Sequence, residues 1–373
     1  MKKRFLLITA FFISTLSFAF EWGGVLSDDT KLTTNLDSVN FHQSNSLSLW
    51  SNLTFGSSGM TYLSAQGTFK YYWDLSKDSN QFTFPLINLD LLKFTSNGKY
   101  NASGSSFSLG RFLVSDFTSK IFSQTSDGLS FELSFPVINI GVYAGYTGLL
   151  NLSEISMLDT SGQIVSEAYS CIPTSLTLSF PAAFLNQQIS FQFMGFLEVP
   201  SFTSSRYYGT FLMKGPIAGP LSYQFYTSFG SLDFKNCTNL SELYFSFSPS
   251  YMLSLSLGGT YASGKIAFLE PFNGFTSNTA YNSILYPALS GLILPYISML
   301  LIQSKFCSVM KVSGVFSMPE QDISFKGVDA SLVMIFNIYS DLQLNFKASG
   351  FWEITDTGDE TNLCFNLSAS LAF

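Results

Sequence analysis

Residues 362–373 read NLCFNLSASLAF, and the rest of the chain is best read outward from this stretch. Leu363, Phe365, Leu367, Ala369, Leu371 and Phe373 share one parity, while Asn362, Cys364, Asn366, Ser368 and Ser370 share the other. Successive side chains of a β-strand point to opposite faces, so the pattern describes a strand with one apolar and one polar face. The run is about as long as a strand that crosses a bilayer at a tilt, roughly 9–11 residues.

Composition narrows the setting. The 373 residues are 46% hydrophobic and 17% aromatic but only 12% charged, about half the charge of an ordinary soluble domain. Beyond the N-terminus no uncharged apolar stretch approaches the roughly 18 residues of a membrane helix. Only helices and closed barrels satisfy every backbone polar group in lipid, so a barrel is the remaining membrane architecture. A secreted all-β protein is the alternative, but nothing would then cover so many of the 40 Phe.

The first residues suit export through the Sec pathway. Lys2, Lys3 and Arg4 precede an apolar run from Phe5 to Leu16, and Ser17-Phe18-Ala19 offers a small-x-small site. A signal peptide over residues 1–19, cut after Ala19, is expected, leaving residues 20–373 as one transmembrane β-barrel domain. The cut removes three of the 18 basic residues and none of the 25 acidic ones, leaving a net charge of −10. That balance disfavours nucleic acid as a partner.

Alternation recurs through most of the remaining chain. Leu63, Ala65, Gly67, Phe69, Tyr71 and Trp73 oppose Ser64, Gln66, Thr68 and Lys70; Phe131, Leu133 and Phe135 oppose Glu132 and Ser134. Ile189, Phe191, Phe193 and Leu197 oppose Ser190, Gln192 and Glu198, and Tyr207, Phe211 and Met213 oppose Arg206, Thr210 and Lys214. The weakest segments are Phe20 to Ser27 and the apolar run Ser283 to Ser304. Asp28 to Ser44 is polar and is expected to be a loop. Counting segments predicts an antiparallel up-and-down barrel of about 18 strands, with 16 possible. Arg111 shares parity with Phe107, Leu109 and Leu113, so either it lies near an interface or a bulge at Gly110 reverses the parity; the bulge is expected.

An alternating final strand closed by Phe resembles bacterial outer-membrane β-barrel proteins, with a porin-like architecture. The resemblance implies outer-membrane lipid as surroundings, small solutes as cargo, and recognition of the strand ending in Phe373 by the barrel-assembly machinery. A homo-oligomer is compatible with it. If Phe373 ends in the periplasm, the tight connections (Gly56 to Gly59, Pro136-Val137, Pro249-Ser250, Ser340-Asp341) fall on that side. The long ones (Asp28 to Ser44, Thr147 to Pro173, Ser263 to Asn282, Glu320 to Lys326) then fall outside, the arrangement such barrels show.

The inward parity carries the functional reading. A polar interior in a barrel this wide implies water, because side chains fill the bore only at about eight strands. The chain is therefore expected to be a porin, a water-filled channel for passive diffusion of small hydrophilic solutes. Lys70, Glu132, Glu198, Arg206, Lys214, Lys311, Asp329, Lys347 and Glu353 are the pore-lining candidates, and they form no ring of one sign. The long Thr147 to Pro173 segment is the candidate constriction loop, with Leu149, Leu150, Glu154 and Asp159. A transporter of hydrophobic molecules, resembling fatty-acid channels, is the alternative suggested by the Phe-rich Phe268 to Leu294 region. A barrel whose outer loops serve adhesion or anchoring is a third. An enzyme is not expected, since His42 is the single histidine. Cys171, Cys237, Cys307 and Cys364 match no zinc motif, and no metal or cofactor is expected. Cys171 and Cys237 fall in expected loops on one side, where a disulfide is possible.

Overall fold

The computed structural model describes residues 18–34, 38–56, 60–76, 79–149, 157–158, 162–163, 170–199, 205–232, 234, 236–275, 289–320, 322–355 and 358–373. Eighteen antiparallel strands make up the chain. They are β1 (Phe18–Thr34), β2 (Val39–Phe55), β3 (Thr61–Ser76), β4 (Ser79–Tyr100), β5 (Ser103–Ser115) and β6 (Ser123–Ser134). There follow β7 (Asn139–Tyr146), β8 (Cys171–Phe184), β9 (Gln187–Glu198), β10 (Arg206–Ala218), β11 (Leu221–Leu232) and β12 (Thr238–Ser250). The last six are β13 (Leu253–Ala262), β14 (Leu292–Gln303), β15 (Phe306–Ser317), β16 (Ser324–Asn337), β17 (Leu342–Thr355) and β18 (Gly358–Ala372). Each pairs with its sequence neighbours, and β18 returns to β1, so the sheet closes without an edge.

Closure runs along the second half of β1, where Val25 to Thr34 pair with Ala372 to Leu363. Two glycines fit the seam. A side chain on Gly23 would meet the Trp50 ring at 2.6 Å, and one on Gly24 would meet the Phe373 ring at 2.4 Å. The main chains of Gly24 and Phe373 exchange two hydrogen bonds of 3.0 Å. Aromatic rings laid over glycines on both faces of a strand pack the gap those glycines leave.

Three expectations are corrected. Asp28 to Ser44 is not a long loop, because β1 continues to Thr34 and β2 starts at Val39. Its outward polar groups satisfy one another: Gln43 donates to Asp28 at 2.6 Å, and Thr30 donates to Gln43 at 2.5 Å. Nor does a bulge at Gly110 turn Arg111 inward. Leu109 and Leu113 stay exposed on the outer face on either side of it, and Ser108 and Phe112 are buried on the other. The Arg111 guanidinium is instead neutralised across the ladder by Asp127, at 2.9 and 2.7 Å, and donates to the Leu149 carbonyl at 3.0 Å. The parity reversal falls in β4, where Gln66 pairs with Leu91 but Gly67 pairs with Leu89. Finally, Cys171 and Cys237 are free thiols. Cys171 opens β8 inside the wall and accepts a hydrogen bond from Thr147 at 3.3 Å, while Cys237 bridges to Leu269.

Connections are short at one rim, here the turn rim, where the eight links run from 56–60 to 338–341. At the opposite loop rim lie 116–122, 147–170 and 263–291. The buried core is formed where these loops turn into the bore. It contains Ile121, Phe122, Met157, Met194, Phe196, Tyr208, Tyr226, Leu240, Phe272, Phe275, Leu292 and Phe351.

Candidate functional site

The bore has two unlike sides. On the first, from β8 to β15, three loops pack against the wall. The 116–122 connection is held in a tight curl by the Asp116 carboxylate, which accepts the main-chain N–H groups of Thr118, Ile121 and Phe122 at 2.7, 3.2 and 2.9 Å. Burial raises the Asp116 pKa above the ordinary carboxylate value, partly offset by these hydrogen bonds. From this curl the Phe117 N–H reaches Gln192 on β9 at 2.9 Å. Lys120 forms an ion pair with Glu242 on β12 and donates to Thr260 on β13 at 3.2 Å. Glu242 also receives the hydroxyls of Tyr226 and Tyr296 at 2.5 and 2.6 Å, so its charge is fully engaged.

The three loops are then joined main chain to main chain. Phe275 N–H donates to the Ile121 carbonyl at 2.7 Å, and Leu158 N–H donates to the Phe275 carbonyl at 2.9 Å. Gly274 permits this approach, since a side chain there would lie 2.8 Å from the Lys120 carbonyl. Arg206 on β10 fastens the assembly to the wall. Its guanidinium donates to the carbonyls of Leu158 and Gly274, both at 2.9 Å, and lies 5.0 Å from the centre of the Phe275 ring. Tyr208 donates to the Asn273 carbonyl at 2.5 Å. Phe275 stacks on Phe196 at 4.5 Å, with Phe122 5.1 Å from Phe196.

The second side, around β1 to β3, is open among the described residues. Its inward residues line a cavity of about 740 Å³, with Ser27, Asp29, Lys31 and Thr33 from β1, Asn40, His42, Ser44 and Ser46 from β2, and Lys70 and Asp74 from β3. His42 pairs through Nδ1 with Asp74, and Asn366 donates to both Asp29 oxygens at 3.0 Å. A smaller cavity of about 430 Å³ is lined by β4 to β9 and includes Lys93, Phe112, Ser130, Glu132, Tyr143 and Thr177.

The residues singled out from sequence are dispersed over both sides. Lys70 faces the large cavity and Glu132 the small one. Arg206 is 3% exposed and sealed beneath loops, so it meets no open bore. Glu198 pairs with Cys171 in the β8–β9 ladder. Lys311 lies 4.3 Å from the Tyr296 ring centre, and the buried Asp329 stands across from Ser313. Lys214 and Lys347 are exposed, and Glu353 is half-buried opposite Gly327. In the candidate constriction loop Leu149 is exposed at the rim, while Leu150, Glu154 and Asp159 lie outside the described residues. Its neighbours Met157 and Leu158 are the ones that enter the bore, at 0% and 1% exposure. Sequence reasoning missed Asp116, Lys120 and Glu242, and left Lys31 and His42 in an expected loop. Among the described residues no group of three or more His, Cys, Asp or Glu is arranged to hold a metal ion.

A closed barrel of 18 antiparallel strands, apolar outside and narrowed within by its own loops, has the architecture of an outer-membrane porin. Solved structures share it. Those of Pseudomonas aeruginosa include OccK2 (OpdF), at TM-score 0.66 and 9% identity over 95% of this chain and 98% of that one. The OpdK structure with vanillate matches at 0.63 and 9%, over 95% and 99%. The outer membrane protein OprD matches at 0.60 and 12%, over 95% and 94%. No protein-family model and no curated protein matches the sequence.

Proposed function

We propose that the chain is an outer-membrane porin that passes small hydrophilic solutes through the open side of its bore. One observation carries the reading: the inward wall of β1 to β3 is lined by Ser, Thr, Asn, His, Lys and Asp around a cavity of about 740 Å³, while the described parts of the loops pack on the other side. A half-filled wide barrel leaves a narrowed aqueous path, and the lining residues set what enters it. The pore-lining role therefore passes to Lys70 and its neighbours on the open wall, and the constriction role to Met157, Leu158 and the 116–122 curl. Export through the Sec pathway and removal of residues 1–19 fit this location. The β1–β2 ladder begins at Phe18 opposite Phe55, so the cut would cost only its last two rungs. Assembly through the strand ending in Phe373 belongs to the same reading.

In the Phe268 to Leu294 region that suggested a transporter of hydrophobic molecules, Phe272, Phe275, Leu289, Leu292 and Leu294 are each at most 2% exposed, so these side chains pack in the core. Reconstitution of the folded barrel in planar bilayers tests the channel: stepwise ion conductance is expected. A barrel that shows heat-modifiable mobility yet never conducts would overturn it.

A further inference from the structure

The large cavity holds charges of both signs, but they are not equally engaged. Of its two carboxylates, Asp29 accepts both contacts from the Asn366 amide, and Asp74 is paired with His42. Lys31 and Lys70 make no hydrogen bond or ion pair among the described residues. The strand register puts Lys31 directly opposite His42, and His42 directly opposite Asp74. Lys70 lies opposite Ser46, four residues along β2 from His42. The cavity thus presents two unengaged ammonium groups, one of them opposite an imidazole, together with Ser44 and Ser46.

We propose that this cavity is a binding site for a small dianionic oxyanion, held by Lys31, Lys70 and the protonated form of His42. With His42 neutral, the two lysines and two aspartates cancel. One proton on the imidazole gives the cavity a net positive charge while its carboxylates stay hydrogen-bonded. Histidine is the side chain that ordinarily changes charge between pH 5 and 8. The other titratable groups facing His42 are Asp29 and Lys31 on β1 and Lys70, Tyr72 and Asp74 on β3, with Cys364 beyond β1 on β18. An added unit charge within a few ångströms of a dianion strengthens its binding about tenfold in a water-filled bore. The site deepens the channel reading by giving the open path a solute-holding step, but binding itself does not depend on conduction.

Equilibrium dialysis of labelled sulfate against the tag-free, full-length folded barrel in neutral detergent tests the site, since sulfate stays a dianion across the range. Wild type is expected to bind about tenfold more tightly at pH 5.5 than at pH 8. His42→Gln should remove that gain, and Lys31→Gln or Lys70→Gln should weaken binding at both pH values. Because the chain has one histidine, its ring NMR signals should also move on sulfate addition in wild type. No sulfate retained at pH 5.5 by a folded wild-type barrel, or an unchanged pH response in His42→Gln, would overturn the proposal. Sulfate binding by a barrel that never conducts would overturn the channel reading alone.

Discussion

The two sides of the bore are built from the same alternating strands, yet one is filled by loops and the other, among the described residues, encloses a polar cavity. Along β9 to β14 the inward residues include Met194, Phe196, Tyr208, Leu212, Tyr226, Leu240 and Leu292, all at most 5% exposed. Along β1 to β3 the corresponding positions are Lys31, His42, Ser46, Lys70 and Asp74. The difference teaches that a strand's inward face need not be polar in a wide barrel. It needs only to match whatever stands against it, loop or water. Connection length follows the same division: β1–β2 and β3–β4 turn over in a few residues, whereas 147–170 and 263–291 supply the chain that folds inward.

Breaking the filled side should have the largest effects. Arg206→Ala removes the donor from two buried carbonyls, at about 2–6 kcal/mol, and frees both loops. Single-channel conductance should rise, and limited proteolysis should now cut within 147–170 or 263–291. An unchanged conductance would mean that the loops hold without Arg206. Lys120→Ala leaves Glu242 with its two tyrosine donors and should cost about 2–3 kcal/mol in urea unfolding, with a smaller rise in conductance.

The third effect is set by pH. Because burial raises the Asp116 pKa, the folded loop favours the protonated carboxyl. The cost of the buried charge is present above the folded-state pKa and is relieved as pH falls through it towards the unfolded value. Protection of the Ile121 and Phe122 amides, corrected for intrinsic exchange, should therefore increase from pH 7 towards acid. Asp116→Asn should flatten that dependence. The smallest stability effect belongs to the open side: Lys70→Gln should change unfolding by about 0–1 kcal/mol while shifting the reversal potential towards cations.

Much of this division was only half legible in the sequence. Alternation located most of the 18 strands, because a wall between lipid and water imposes period 2 wherever both faces are in contact with their solvents; it was weakest in β1 and in the apolar run that holds β14, which left 16 strands open. It failed at Asp28 to Ser44, where Asp28, Thr30 and Gln43 face outward and satisfy each other, so the outward face loses its apolar mark. Arg111 misled for a related reason. Its partner Asp127 lies on the next strand, and cross-strand neutralisation is invisible to a pattern read along one segment. Parity correctly turned Arg206 inward, but nothing local told that Leu158 and Gly274 would close over it from 48 and 68 residues away. The inward residues of β9 to β14 record the asymmetry of the bore, but alternation read along one strand does not say which loop packs on them.

The most direct test of the two-sided bore compares thiols placed on each side, in a background with Cys171, Cys237, Cys307 and Cys364 replaced by serine. Ser46→Cys lines the open cavity, whereas Ser228→Cys occupies a site at 0% exposure beneath the packed side. A charged methanethiosulfonate reagent added during single-channel recording should reduce the current through Ser46→Cys and leave Ser228→Cys unaffected. Equal modification of both, or block at Ser228→Cys alone, would contradict the account.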